Sequence, residues 1–73
     1  MDFDVLVAQE RGRQDAKWGE QNHYPDRWLV ILGEEFGEAC KAHLECDARG
    51  VTKEIIQVAA VCKAMYESMT RNK

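Results

Sequence analysis

Gly33-Glu34-Glu35-Phe36-Gly37-Glu38 is the stretch that decides the fold, read together with Lys53-Glu54-Ile55-Ile56-Gln57 further along the chain. Each segment lies in an apolar run with helical spacing, and each places oxygen-bearing side chains three residues apart where a helix normally presents apolar ones. Buried carboxylates are unfavourable unless a cation compensates them. The two segments therefore predict two helices that meet around something cationic.

The residues around these segments predict three helices and no strand. The expected bounds are a first helix from an N-cap at Asp2 to about Trp18, a second from Asp26 or Arg27 to about Leu44, and a third from about Val51 to Met69. The fold class is therefore all-α, with one domain over residues 1–73. An N-terminal helix precedes a helical hairpin, which we expect to assemble into an oligomer resembling a four-helix bundle.

The second and third helices carry apolar arcs with matching polar interruptions. Glu35 lies inside the first arc with Glu38 at its margin, and Glu54 lies inside the second with Gln57 at its edge. These four positions are symmetric about residue 46, so a chain reversal there brings them to one level. The apolar arcs comprise Trp28, Leu29, Ile31, Leu32, Phe36, Ala39, Cys40, Ala42 and His43, and then Val51, Ile55, Val58, Val61, Cys62, Met65, Tyr66 and Met69.

Composition narrows the functional classes. A chain of 73 residues removes only roughly 60% of its unfolded surface from water, so oligomerisation is the expected source of further burial. The net charge of −3 argues against binding to a nucleic-acid backbone. The longest apolar run, Trp28 to Leu32, is too short to span a membrane. Three cysteines without framework spacing indicate reduced thiols, and we expect a cytoplasmic protein.

The predicted cluster has the chemistry of a hard-cation site. Three carboxylates and one amide oxygen suit Mg²⁺ or Mn²⁺ rather than zinc. A magnesium ion held by few protein oxygens keeps positions for phosphates and water, which favours metal-assisted hydrolysis of a phosphoanhydride. The alternative is that Glu35, Glu38 and Glu54 form ion pairs with Arg and Lys across an oligomer interface.

These residues resemble the all-α nucleoside triphosphate pyrophosphohydrolases of the MazG-like group, which includes the dCTP pyrophosphatases. Glu34-Glu35-Phe36-Gly37-Glu38 matches the family's EExxE helix, and Glu54-Ile55-Ile56-Gln57 approximates its ExxD helix at a compatible interval. The segment from Arg13 to His23 is similar to the one that precedes the EExxE helix in phage-type members. His23-Tyr24-Pro25 is similar to a His-x-Pro step in the dCTP-hydrolysing branch.

The resemblance implies a metal-dependent, dimeric or tetrameric enzyme that cleaves a (d)NTP to (d)NMP and pyrophosphate. By match, the metal ligands would be Glu35, Glu38, Glu54 and Gln57, and the catalytic carboxylates Glu35, Glu38 and Glu54, with Glu34 in support. Candidates for binding the substrate are Gln14, Trp18 and His23, together with Lys63, which could reach a phosphate from a neighbouring chain. Family members often have a fourth helix with phosphate-binding residues. Here either a second subunit would complete the site or the activity would be weak.

Several alternatives stay open from the sequence alone. Gln57 stands where the family usually has aspartate, so the chain could instead be a catalytically weak helical module that binds nucleotide or assembles with itself. Trp18 and His23 could line a pocket or simply pack the first helix. The cysteines and His43 could hold zinc, although small buried thiols explain them more simply. Lys63, Arg71 and Lys73 are expected to form a solvated face.

Overall fold

The structure, a computed structural model, describes residues 1–71 and contains three helices over that range. Helix α1 spans Phe3–Trp18, α2 spans Pro25–Leu44 and α3 spans Ala48–Arg71. No strand occurs within residues 1–71, which confirms the all-α prediction. Lys73 of the predicted basic face lies outside the described residues.

The two ends of α1 lie where the sequence predicts them. The carboxylate of Asp2 accepts a hydrogen bond from the Val5 backbone N–H at 2.9 Å, which satisfies one of the free donors of the first turn. Gly19 has φ 72°, and its N–H donates to the Asp15 carbonyl at 2.8 Å. Glycine adopts this left-handed conformation without a steric penalty, so α1 ends at Trp18.

Helices α2 and α3 form an antiparallel hairpin with a connection of only three residues. Cys46 adopts φ 58° and the Asp47 N–H donates to the Ala42 carbonyl at 2.9 Å, which reverses the chain. Asp47 also accepts from the Gly50 N–H at 2.9 Å and so caps α3. Helix α3 therefore starts at Ala48, three residues before the predicted start at Val51. Gly50 lies within the first turn of this helix.

The start of α2 also differs by a residue. The helix begins at Pro25, whose missing N–H is harmless in the first turn, and Tyr24 has the extended conformation of an N-cap. The backbone N–H of Trp28 donates to the Tyr24 carbonyl at 3.2 Å. The predicted end at Leu44 is confirmed.

Helix α3 is the centre of the fold. Within residues 1–71 it packs against both α1 and α2, whereas α1 and α2 do not pack against each other. This arrangement leaves a groove between α1 and α2 with α3 as its floor. No helix among residues 1–71 is long and apolar enough to cross a membrane.

The core of a single chain is small. Its buried apolar side chains are Val7, Trp28, Ala42, Ala60 and Val61. Much of each predicted apolar arc lies outside this core, because α2 has one neighbouring helix and α1 covers a different side of α3. Phe36 is 62% exposed and Tyr66 is 69% exposed. The expectation that Met69 is a core residue is wrong for the single chain, since Met69 is 41% exposed.

Candidate functional site

Three carboxylates meet where α2 and α3 face each other. Glu35, Glu38 and Glu54 each offer one oxygen, and these oxygens all lie within 4.8 Å of one another. Glu35 and Glu38 are one helical turn apart on α2, and the hairpin brings Glu54 of α3 to the same level. These are the three acidic residues that the symmetry about residue 46 selects.

The three carboxylates have few partners of their own. One oxygen of Glu54, Oε2, is buried and has no hydrogen-bond donor among residues 1–71. Within the same range, no Arg or Lys forms an ion pair with Glu35, Glu38 or Glu54. The alternative, ion pairing across an oligomer interface, concerns contacts between chains and stays a prediction. A buried carboxylate oxygen without a partner is unfavourable, so a cation or a hydrogen-bond donor would stabilise this site.

The pKa of Glu35 is raised by burial and by the repulsion between these carboxylates. Burial raises its pKa above the ordinary value of 4.5, and the charges of Glu38 and Glu54 raise it further. A hydrogen bond to Glu54 and the charge of Glu10 act in the same direction. All of these effects disfavour a third negative charge at this point. A divalent cation bound to these carboxylates would act in the opposite direction and lower the pKa of Glu35.

Glu35 also lies on the wall of the groove between α1 and α2. The groove has a volume of about 790 Å³, which is within the range of small-molecule sites in proteins. Trp18, Trp28 and Ile31 are among the residues that line it, and of the two tryptophans Trp18 is the exposed one. The groove thus joins a cluster of acidic oxygens to an aromatic surface.

Gln14, Trp18 and Gln57, predicted from the sequence, all line this groove. Trp18 is 57% exposed, and the Lys17 ammonium lies 4.8 Å from the centroid of its ring. The Gln14 side chain accepts a hydrogen bond from Arg11 at 3.2 Å. Helix α1 therefore contributes both Gln14 and Trp18 to the groove wall.

His23 and Lys63 occupy other positions. The His23 ring packs edge-on against Trp28, with the ring centroids 4.9 Å apart. It supports a groove tryptophan from behind and is not among the residues that line the groove. Lys63 is exposed on α3 and likewise does not line the groove of its own chain.

Two arginines were not predicted as part of the site. Arg11 has a side chain only 15% exposed, and it forms ion pairs with Asp15 and Glu67 at 3.1 Å each. Arg71, which we expected in solvent, donates to the Asn22 side chain at 2.8 Å and to the Gln21 carbonyl at 3.1 Å. Both arginines line the groove. Their partners on other elements are about 50 residues away in sequence, so no local pattern reveals them.

Unpaired donors also line the groove. Arg11 Nε and Trp28 Nε1 are buried and have no acceptor among residues 1–71. Both side chains belong to the groove wall. The groove is therefore suited to a ligand that has both an anionic part and a flat apolar part.

The cysteines do not behave as expected. Cys40, Cys46 and Cys62 are free and exposed, so the prediction that they are small buried side chains is wrong. Among residues 1–71, the only group of histidine, cysteine and acidic side chains close enough to hold a metal ion is Glu35, Glu38 and Glu54. The zinc alternative therefore has no geometric support in the described part of the chain.

The ligand set fits a hard cation. Carboxylate oxygens are the preferred ligands for Mg²⁺ and Mn²⁺, and the unpartnered Oε2 of Glu54 is an atom that such an ion would satisfy.

Comparison of this chain with models of protein families, with curated proteins and with solved structures finds no match. The functional argument therefore rests on the site itself.

Proposed function

We propose that this protein is a metal-dependent nucleoside triphosphate pyrophosphohydrolase, which converts a (d)NTP and water to a (d)NMP and pyrophosphate. One observation carries the proposal: three mutually repelling carboxylates converge beside a groove with exposed aromatic and cationic side chains. Such a site suits a substrate with a flat base at one end and metal-binding phosphates at the other. The family resemblance of the two helical motifs supports the same reaction.

In this proposal Glu35, Glu38 and Glu54 would hold Mg²⁺ or Mn²⁺, and Gln57, which lines the groove, would be a fourth ligand. The ion supplies charge neutralisation for the phosphates and a lowered pKa for the attacking water. In this proposal the carboxylate of Glu38, the exposed member of the three, would accept a proton from the attacking water.

The remaining groove residues bind and orient the substrate. The exposed face of Trp18 can stack against a nucleobase, and Gln14 can offer its amide to the polar edge of the base. Arg11 and Arg71 can contact phosphate oxygens, although each is already paired with acidic or amide groups that the phosphates would have to displace. Because both arginines are already paired, the groove should bind free phosphate weakly, and binding of the substrate phosphates would depend on the metal ion.

The proposal includes a homodimer or homotetramer in a reducing cytoplasm, where the (d)NTP pool lies and free thiols persist. Neither the nucleic-acid backbone nor a membrane is an expected partner for a chain of net charge −3. The alternative is a catalytically weak helical module that binds nucleotide or assembles with itself. Gln57 supports this alternative, because a neutral amide in place of aspartate reduces the negative charge that would hold the ion.

The test is a screen of the common (d)NTPs for pyrophosphate release with Mg²⁺ and with Mn²⁺. Glu38→Gln removes one carboxylate without changing side-chain size, and we expect it to lower turnover by at least ~100-fold while leaving the melting temperature unchanged or higher. Glu45→Gln is the matched control, because Glu45 is exposed at the far end of α2 and outside the groove.

The possible results separate the two functional classes. Turnover in the parent and in Glu45→Gln, with loss in Glu38→Gln, supports the enzyme. Metal-dependent nucleotide binding without any pyrophosphate release identifies the module instead. Equal turnover in Glu38→Gln and the parent would show that the carboxylate cluster is not the metal site.

A further inference from the structure

Helix α1 buries a fourth carboxylate, that of Glu10, beside the candidate site. Its side chain is only 10% exposed. The other acidic side chains that form ion pairs among residues 1–71 are each 40% exposed or more. Removing a carboxylate from water costs free energy unless another interaction compensates its charge. The burial of Glu10 therefore needs a physical reason.

Glu10 lies close to the carboxylate cluster. It lines a small cavity between α1 and α3, of about 260 Å³, together with Gln57. Gln57 also lines the groove beside Glu35, and it follows Glu54 by one helical turn on α3. Burial and the neighbouring carboxylates of α2 and α3 raise the pKa of Glu35, and the charge of Glu10 raises it further. Glu10 therefore acts on the cluster from the third helix, on the side where Gln57 lies.

The partners of Glu10 hold its carboxylate weakly. Arg13 Nε donates to Glu10 Oε1 at 3.0 Å, but the Arg13 side chain is 68% exposed, so water screens this ion pair. Gln14 Nε2 donates to Glu10 Oε2 at 3.4 Å, which is a long hydrogen bond. Among residues 1–71, no other group donates to this carboxylate. Its oxygens can therefore exchange their partners at little cost.

Four positions of α2 and α3 lie at one level, and only one of them is neutral. The spacing pairs Glu35 and Glu38 with Glu54 and Gln57. The amide of Gln57 therefore leaves one corner of the site without a negative charge. Glu10 shares a cavity with that corner. Helix α1 thus brings a negative charge to the position where α3 has none.

We propose that Glu10 replaces, from α1, the charge that Gln57 lacks, and so strengthens the binding of a divalent cation by the cluster. The inference rests on the proposed function, since it concerns the same metal site. Glu10 is not one of the three side chains whose oxygens lie within 4.8 Å of one another, so it is a positioning residue and not a ligand. Mg²⁺ usually keeps several of its waters. A carboxylate outside the ligand set can act on the ion by accepting hydrogen bonds from them.

The structural alternative is that Glu10 only forms an ion pair with Arg13 along α1. Two variants separate these roles, because both break that ion pair. Glu10→Gln removes the negative charge beside the site, whereas Arg13→Gln removes only the exposed positive charge. A purely structural role predicts the same effect from both variants. The proposed role predicts that only Glu10→Gln weakens metal binding.

The first measurement is titration calorimetry with Mn²⁺ and with Mg²⁺, below the melting temperature of every variant. Glu10→Gln should bind the ion at least ~10-fold more weakly than the parent, the loss typical of residues that support metal ligands. Arg13→Gln should bind it at least as tightly as the parent. Asp4→Asn is the control, because it removes one negative charge from an exposed position of α1 outside both cavities. Its affinity should equal that of the parent.

A charge added on α3 provides the second measurement. Gln57→Asp, combined with Glu10→Gln, moves the negative charge from one side of the shared cavity to the other. The double variant should regain the affinity of the parent, because the total charge around the ion is the same. A packing defect in α1 would not be repaired by this change on α3.

The outcomes distinguish this inference from the proposed function. A parent that binds neither ion would overturn both. A parent that binds them, with equal binding by Glu10→Gln, would overturn the role of Glu10 and leave the metal site in place. Weaker binding by Arg13→Gln would overturn that role as well, and this result can be obtained even where Glu10→Gln fails to fold.

Discussion

Replacing Glu35 with glutamine should change the stability of this protein in opposite directions with and without a divalent cation. Without the cation, Glu35, Glu38 and Glu54 place three negative charges within 4.8 Å of one another. Glutamine has nearly the same size and no charge, so Glu35→Gln removes two of the three repulsive pairs. With a cation present, the same change removes a ligand.

The magnitude follows from Coulomb's law. Two unit charges 4.8 Å apart repel by about 0.9 kcal/mol in bulk water and by about 3.5 kcal/mol at the effective dielectric constant of ~20 typical near a protein surface. Glu38 is exposed and Glu35 only half-buried, so the lower limit applies. Partial protonation of Glu35 reduces the repulsion further, and we expect a net gain of about 1 kcal/mol. In a domain of this size that raises the melting temperature by about 4–8 °C.

The dependence on pH provides an internal check. Since burial and neighbouring charges raise the pKa of Glu35 above 4.5, the folded state holds this proton more tightly than the unfolded state. Its contribution is therefore fully present below pH 4.5 and is lost as the pH rises through the raised value. The metal-free parent should lose stability relative to Glu35→Gln across that window. The two proteins should converge at lower pH.

The assay is thermal unfolding followed by circular dichroism, at one protein concentration, in a chelator and then in excess Mg²⁺ or Mn²⁺. The parent should gain stability from the cation, by about 2.7 kcal/mol at a hundredfold excess over the dissociation constant, and the variant should gain little. Glu45→Gln controls for the loss of one charge. A lower metal-free melting temperature in Glu35→Gln, or an undiminished response to the cation, would refute the reasoning.

Two further predictions concern other positions. Gln57→Asp should tighten Mg²⁺ binding by ~10-fold, measured by titration calorimetry, because it adds a negative charge beside the cluster; unchanged affinity would place Gln57 outside the site. Gly12→Ala and Gly50→Ala should act in opposite directions in urea unfolding. Alanine at Gly12 meets no atom within 4 Å and should stabilise α1 by about 0.8–1.0 kcal/mol, whereas at Gly50 it would collide with the Asp47 carboxylate and approach Ala42 Cβ to 3.3 Å, disrupting the α3 cap by about 1 kcal/mol.

The carboxylate cluster illustrates what sequence spacing can predict. Glu35 and Glu38 share a helix face because they are three residues apart, and this relation needs no tertiary information. Their meeting with Glu54 required only a chain reversal midway between the helices, which Asp47 and the left-handed Cys46 provide. Gln57 was placed near the same level by the same symmetry, and it lies on the groove wall.

The arginines illustrate what such spacing cannot predict. Arg11 joins the site through Glu67, and Arg71 closes one end of the groove through Gln21 and Asn22. These contacts connect residues about 50 positions apart, and they exist only because α1 and the linker lie over α3. On the sequence alone, a basic residue near a chain terminus is indistinguishable from one in solvent.

The amino-acid sequence by itself determined the three helices, the N-cap of α1 and the level at which the acidic side chains meet, because periodicity and capping act between residues close in the chain. Only the tertiary structure decided which apolar residues are covered. Helix α1 packs on one side of α3 and leaves α2 with a single neighbour, so half of each apolar arc stays exposed. The open groove and the exposed apolar residues of α2 both follow from that one asymmetry in packing.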